Sequence, residues 1–108
     1  MGEILVLSTA DSMELALKIA RTIVDEGKAA CVNIVPGVRS IYRWEGKLCD
    51  DSELLLLIKT SEENYEKVNA CIRKLHTYDT PEVISIPIAA GDPEYLSWLR
   101  RQIHPHSD

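Results

Sequence analysis

Residues 29–60 read AACVNIVPGVRSIYRWEGKLCDDSELLLLIKT, and this stretch decides the fold. Two long extended arms face each other across the turn Trp44-Glu45-Gly46-Lys47. The second arm carries five consecutive apolar residues, Leu54-Leu55-Leu56-Leu57-Ile58. A strand that is apolar on both pleat faces needs something packed on each side. A hairpin of this length exceeds what one small subunit can cover, so the sequence predicts completion by further copies of the chain.

Working outward toward the N-terminus, Ile4-Leu5-Val6-Leu7 reads as a buried strand that ends at the polar break Ser8-Thr9-Ala10-Asp11. Ala16, Ile19, Ala20 and Ile23 keep helical spacing. They predict a helix over residues 12–26, with Asp11 and Glu14 as a capping box and Gly27 as a left-handed C-terminal cap. Beyond the hairpin, Thr60 and Glu63 resemble a second capping box ahead of Tyr65, Val68, Ile72 and Leu75, which mark a second amphipathic helix. Residues 76–80 form a polar connection, and residues 83–88 read as a fourth strand. Asp92-Pro93 starts a last helix with Asp as cap and Pro at the first helical position; that helix carries Tyr95, Leu96, Leu99 and Ile103. Residues 104–108 read as a loose tail.

The element order β-α-β-β-α-β with an extra C-terminal helix is the α+β ferredoxin-like split arrangement. It puts the second and fourth strands at the sheet edges. Those two strands carry Pro36 and Pro87, which tolerate an edge because proline cannot donate to a ladder, while the first and third strands are free of proline.

At 108 residues and 45% hydrophobic content, the chain fits a single globular domain. Its apolar runs fall short of the roughly 18 residues a spanning helix needs, and the N-terminus shows no leader or lipidation signal, so no membrane partner is expected. A net charge of -5 with no basic cluster longer than Arg100-Arg101 argues against nucleic acid as a partner. Cys31, Cys49 and Cys71 are an odd set with no C-x-x-C pair, which suits a reducing compartment and predicts a cytoplasmic location.

Long motifs in register carry a family likeness: Ala29-Ala30-Cys31-Val32-Asn33-Ile34-Val35-Pro36-Gly37, Ser40-Ile41-Tyr42-Arg43-Trp44-Glu45-Gly46-Lys47 and Leu57-Ile58-Lys59-Thr60. Leu75-His76-Thr77-Tyr78, Thr80-Pro81-Glu82 and the run from Gly91 to Leu99 continue it. Together they resemble the CutA divalent-cation-tolerance family over nearly the whole chain. The resemblance implies a ferredoxin-like homotrimer whose long hairpins pair between subunits, with an architecture shared with PII signal proteins. It further implies weak binding of a divalent cation such as Cu or Zn, and no agreed catalytic reaction. Where the family binds metal, a first-strand thiol and a histidine join the glutamate of the Pro-Glu motif. The matching positions here are Ser8, Leu75 or His76, and Glu82. A serine hydroxyl is a poor ligand for a soft ion, which weakens an inherited copper site.

His76 and Glu82 are accordingly the candidate metal ligands. An imidazole and a carboxylate suit a borderline divalent ion, but tight sites use three or four ligands, so symmetry copies would have to complete this one. The competing structural reading is a histidine at a helix C-terminus and a glutamate opening a strand. Tyr42, Trp44, Lys59 and Tyr78 are the candidate residues of a ligand cleft near a subunit boundary, because aromatic groups with a polar handle suit half-wet surfaces. There Lys59 would receive a small anion or a partner protein, as in a PII-like adaptor; otherwise it pairs with Glu82 or Glu45. Trp44 reads as an anchor against a neighbouring subunit. Cys31 and Cys71 read as small buried hydrophobes and Cys49 as exposed. His104 and His106 form an H-x-H pair able to capture transition metals.

Enzyme signatures are missing: the sequence has no G-x-S-x-G elbow, no phosphate-binding glycine loop and no protease-like Cys/His pattern. Acylphosphatases share the element order but need a glycine-rich first turn, which Ser8-Thr9-Ala10-Asp11 does not supply. RNA-binding domains of this order stack bases on sheet aromatics, usually Phe, and this chain contains no Phe. The expectation is therefore a binding protein rather than an enzyme.

Overall fold

A computed structural model describes residues 2–103. The elements run β1 (Glu3–Ala10), α1 (Met13–Asp25), β2 (Cys31–Trp44), β3 (Lys47–Ser61), a 3-10 turn (Glu62–Asn64), α2 (Tyr65–Leu75), β4 (Ile84–Pro87) and α3 (Pro93–Gln102). The four strands form one antiparallel sheet in the order β2-β3-β1-β4. This is the expected ferredoxin-like arrangement, and Pro36 and Pro87 do lie on its two edge strands. The tail residues 104–108, with His104 and His106, lie outside the described residues. Among the described residues no helix is long and apolar enough to cross a membrane.

Register explains the apolar run in β3. Val6 pairs with Ile58 and Ser8 with Leu56. Because strand side chains alternate with a period of two, Leu54, Leu56 and Ile58 share one face with Ile4, Val6 and Ser8. That face packs against Leu15, Ala16, Ile19 and Ile23 of α1 and Val68, Cys71 and Ile72 of α2, forming the main core. Leu55 and Leu57 point to the opposite face together with Leu5 and Leu7. Among the described residues, Leu99 of α3 and Ile103 cover one end of that second face, packing with Ala30 against Cys31, and Ser40 and Tyr78 cover Glu53 near the other. The rest stays half-buried, and Ile84 and Ile86 on β4 remain exposed beside it.

Two capping expectations are corrected. Ser12, not Asp11, caps α1: its hydroxyl accepts from the Leu15 backbone N–H at 3.1 Å. Thr60 caps nothing, because it is the penultimate residue of β3 and its buried hydroxyl donates to the Lys28 carbonyl at 2.6 Å. A hydroxyl committed to another loop cannot serve a helix start, and α2 is entered through the 3-10 turn instead. Asp92 caps α3 as expected, accepting from the Tyr95 N–H at 3.0 Å.

At the hairpin tip, Glu45 (φ 50) and Gly46 (φ 80) give the two positive-φ residues of a tight turn matched to the strand twist. The pairing register shifts between Val35 and Val38, at Pro36-Gly37, with Gly37 at φ 78. A bulge of this kind bends and twists the strand, which redirects the outer arm relative to the rest of the sheet. Beyond it, Ile41 and Leu48 are 65% and 71% exposed.

Ser8 alternates with Ile4 and Val6 on the helix-covered face, and its fully buried hydroxyl has no hydrogen-bond partner among the described residues. Leaving such a group unpaired costs about 1–3 kcal/mol. Ser8→Ala is expected to raise the unfolding free energy by about 1 kcal/mol, the relieved penalty exceeding the small lost contact. Equilibrium urea unfolding measures it, and a destabilised variant contradicts the reading of Ser8 as an orphan.

Candidate functional site

A cavity of about 420 Å³ opens where the outer hairpin arm meets the connection between α2 and β4. The hairpin contributes Tyr42, Trp44 and Glu53, the end of β1 contributes Thr9, and the connection contributes Tyr78, Asp79, Thr80 and Glu82. Tyr42, Trp44 and Glu53 fall on one pleat face, since Val38 pairs with Glu53 and each second residue along β2 follows that face. None of the described residues lining the cavity is Lys, Arg or His.

Glu53 is the polar centre of the wall. It is 91% buried, with 9% of its surface exposed, and it accepts hydrogen bonds from the Ser40 hydroxyl and the Tyr78 phenol, both at 2.6 Å. Two short hydrogen bonds of this kind fix the orientation of a side chain inside a wall. Burial and the proton donated to Glu53 push the Tyr78 phenol well above its ordinary value. The Tyr42 phenol donates to Asp51 and is pushed up to about 12, chiefly by that bond. Both phenols therefore remain protonated donors at neutral pH and supply neither a base nor a phenolate ligand.

Glu82 lines the same cavity while staying open to solvent. Desolvation by its surroundings, and next the charge of Glu53, raise its pKa above the ordinary carboxylate value. A carboxylate whose proton affinity is raised by burial and by a second carboxylate marks a spot where a cation is favoured.

His76 is placed differently from Glu82. Its Nδ1 accepts the Tyr78 backbone N–H at 3.1 Å, and its Nε2 lies 2.7 Å from the Thr9 carbonyl. An N–H can only donate and a carbonyl can only accept, so Nδ1 carries the lone pair and Nε2 the proton. The ring also rests against Tyr78, with centroids 4.4 Å apart. Both nitrogens are in use: direct ligation by His76 requires breaking one of these bonds. In this arrangement the residue fixes the connection that presents Tyr78.

Within one chain, Lys59 does not join the cleft expected for it. Its ammonium lies 3.4 Å from the Tyr95 hydroxyl and 5.6 Å from the centre of that ring, on α3. The expected partners Glu82 and Glu45 are replaced by an aromatic one, because α3 packs over the end of the sheet face that Lys59 shares with Cys31. Tyr42, Trp44 and Tyr78 do come together. Trp44 is 54% exposed at the hairpin tip while lining the cavity. Of the cysteines, Cys71 is buried, and burial pushes its thiol up; Cys31 and Cys49 are half-buried.

A family profile described as "CutA1 divalent ion tolerance protein" matches residues 4–102. The chain belongs to this family. It is 51% identical over 98 residues to the divalent-cation tolerance protein CutA of Thermus thermophilus, covering 91% of this chain and 95% of that protein. A solved structure of the Thermus thermophilus protein superposes with a TM-score of 0.92 at 49% identity, covering 94% of this chain and 99% of that one. The chloroplastic CutA protein of Arabidopsis thaliana is 48% identical over 97 residues, and there the chain spans about half of the longer relative, 53%.

For a CutA1 family member the metal question turns on the donor set. Among the described residues no group of three or more His, Cys, Asp or Glu side chains is placed to hold a metal ion. Ser8 points into the helix-covered core, whereas Thr9 lines the cavity. The described residues lining the cavity offer carboxylate and hydroxyl oxygens and no thiol or imidazole.

Sequence reasoning missed Glu53, Thr9, Ser40 and Asp79. Glu53 carried a signal: by parity it shares the face of Leu55 and Leu57, and a carboxylate on an apolar face has to find donors. The others are brought to the site by strand pairing (Thr9, Ser40) and by the α2–β4 connection (Asp79) and leave no local pattern.

Proposed function

We propose that this CutA1 family member acts in divalent-cation tolerance as a cytoplasmic homotrimer that takes up a divalent ion such as Cu(II) or Zn(II) weakly, without catalysing a reaction. The observation that carries the ion reading is that Glu53 and Glu82 line one cavity with no lysine, arginine or histidine among its described lining residues. Burial and next the charge of Glu53 raise the proton affinity of Glu82, and a dication would relieve that charge. Glu82 is the exchangeable ligand, open to solvent, and Glu53 supplies fixed charge behind it. His76 holds Tyr78 in place, and Tyr42, Trp44 and Tyr78 shape the entrance. Groups from a neighbouring subunit complete the coordination. The half-buried apolar sheet face of Leu5, Leu7, Leu55 and Leu57 supports the trimer, and three free cysteines fit a reducing compartment.

Calorimetric titration of the purified protein with Zn(II) is expected to show saturable binding that weakens at least tenfold in Glu82→Ala. Binding untouched by that substitution rejects the site. The pH dependence has a definite sign. Glu82 binds its proton more tightly in the fold than at the ordinary value of 4.5, so its protonated form is favoured there and its carboxylate is lost at higher pH than usual. Zn(II) affinity should therefore begin to fall above pH 4.5 on acidification. By the same linkage, whatever stability the protonated form contributes is present at low pH and lost as pH rises through the raised value. Glu82→Gln should remove this part of the pH profile, and an unchanged profile speaks against Glu82 as ligand.

A further inference from the structure

We propose that the cavity between the hairpin arm and the α2–β4 connection is a receptor for a small organic ammonium ion. The inference rests on the same cavity as the divalent-ion reading and names a second ligand class for it. Volume is the first argument: 420 Å³ far exceeds the space of a bare ion with its carboxylate ligands and lies in the range of small-molecule sites. Lining is the second. Three aromatic side chains, Tyr42, Trp44 and Tyr78, contribute walls that a metal ion does not need, and Trp is the best of the aromatic faces for an alkylammonium.

Polarity is the third argument. The hydrogen bonds from Ser40 and Tyr78 keep Glu53 in place behind the aromatic walls, and Glu82 and Asp79 add carboxylates on the side of the connection. No lysine or arginine among the described lining residues neutralises them. Within one chain an anion would meet this wall uncompensated. A neutral apolar ligand would leave the carboxylates desolvated without a partner. An ammonium ion satisfies both halves of the lining: its alkyl groups lie against the rings and its charge faces Glu53.

The test uses choline as the probe on the full chain. The protein has two tryptophans, and Trp98 does not line the cavity, so a Trp98→Phe background leaves Trp44 as the fluorescent reporter. Choline is expected to change Trp44 emission saturably, with affinity lowered about tenfold by Trp44→Ala, followed by calorimetry, and by Glu53→Gln. Tyr78→Phe keeps the ring and should retain most of the binding. The uncharged isostere 3,3-dimethylbutan-1-ol should bind at least tenfold more weakly to the unsubstituted protein, a comparison that does not depend on any variant folding. Equal binding of the alcohol, preferential binding of inorganic phosphate, or no saturable choline signal overturns the proposal. Choline binding with no Zn(II) binding upholds it and rejects the divalent-ion reading; the reverse result rejects it and leaves that reading standing.

Discussion

Leu56→Ala is expected to lower the unfolding free energy by about 2–5 kcal/mol, the range for truncating a large buried aliphatic residue. Leu56 is fully buried on the central strand β3, pairs across from Ser8 and belongs to the core beneath α1 and α2. Removing its isobutyl group deletes transfer free energy and leaves a cavity that two helices and a hydrogen-bonded strand cannot easily close. Urea unfolding at fixed protein concentration measures the change, and the concentration must be held because assembly adds to apparent stability. A loss below about 1 kcal/mol contradicts the placement of Leu56 at the centre of the core.

The second large effect concerns the other face of the same strand. Leu57→Asp is expected to dissociate the proposed trimer at micromolar concentration while leaving the helix-covered core intact. Leu57 pairs with Leu7 on β1 and Asn33 on β2, on the face that α1 and α2 do not reach. If neighbouring subunits cover that face, each substituted copy buries an unpaired carboxylate. Such a charge costs about 3–5 kcal/mol, and every 1.4 kcal/mol is about tenfold in affinity. Sedimentation equilibrium reads the mass and far-UV circular dichroism reads the subunit fold. An unchanged trimer places the subunit interface elsewhere. The two leucines are adjacent in sequence, so the pair of experiments separates folding of the subunit from its assembly.

Much of the fold was legible because its signals are local and periodic. Helical spacing marked α1 and α2, Asp92-Pro93 marked the start of α3, and the two prolines marked the edge strands. Capping was less legible. Ser12 and Asp11 are both competent caps one residue apart, and only the path of the backbone selects Ser12. Thr60 has the right spacing to Glu63, but a long-range bond to Lys28 claims its hydroxyl, and no sequence pattern announces a partner 32 residues away.

The candidate site divides in the same way. Tyr42, Trp44, Tyr78 and Glu82 could be singled out as amphipathic or motif residues, and they meet in one cavity. Lys59 was grouped with them on chemistry but belongs to Tyr95. His76 has the residue type of a ligand, yet its nitrogens are occupied by Thr9 and Tyr78. Residue type declares what a side chain can do, whereas hydrogen-bond partners decide what remains for it to do.

The sequence by itself determined the element order, the edge strands and the surplus of apolar surface on β3, because hydrophobic period, proline and helix-capping residues act over a few positions. Tertiary structure decided which carboxylate stands in the cleft, which nitrogen of His76 is spoken for and where Lys59 points. Those outcomes depend on register, on the bulge at Pro36-Gly37 and on chain segments far apart in sequence. Burial and partner geometry are properties of the assembled layers, and they are fixed only once β1, the hairpin and the α2–β4 connection are packed together.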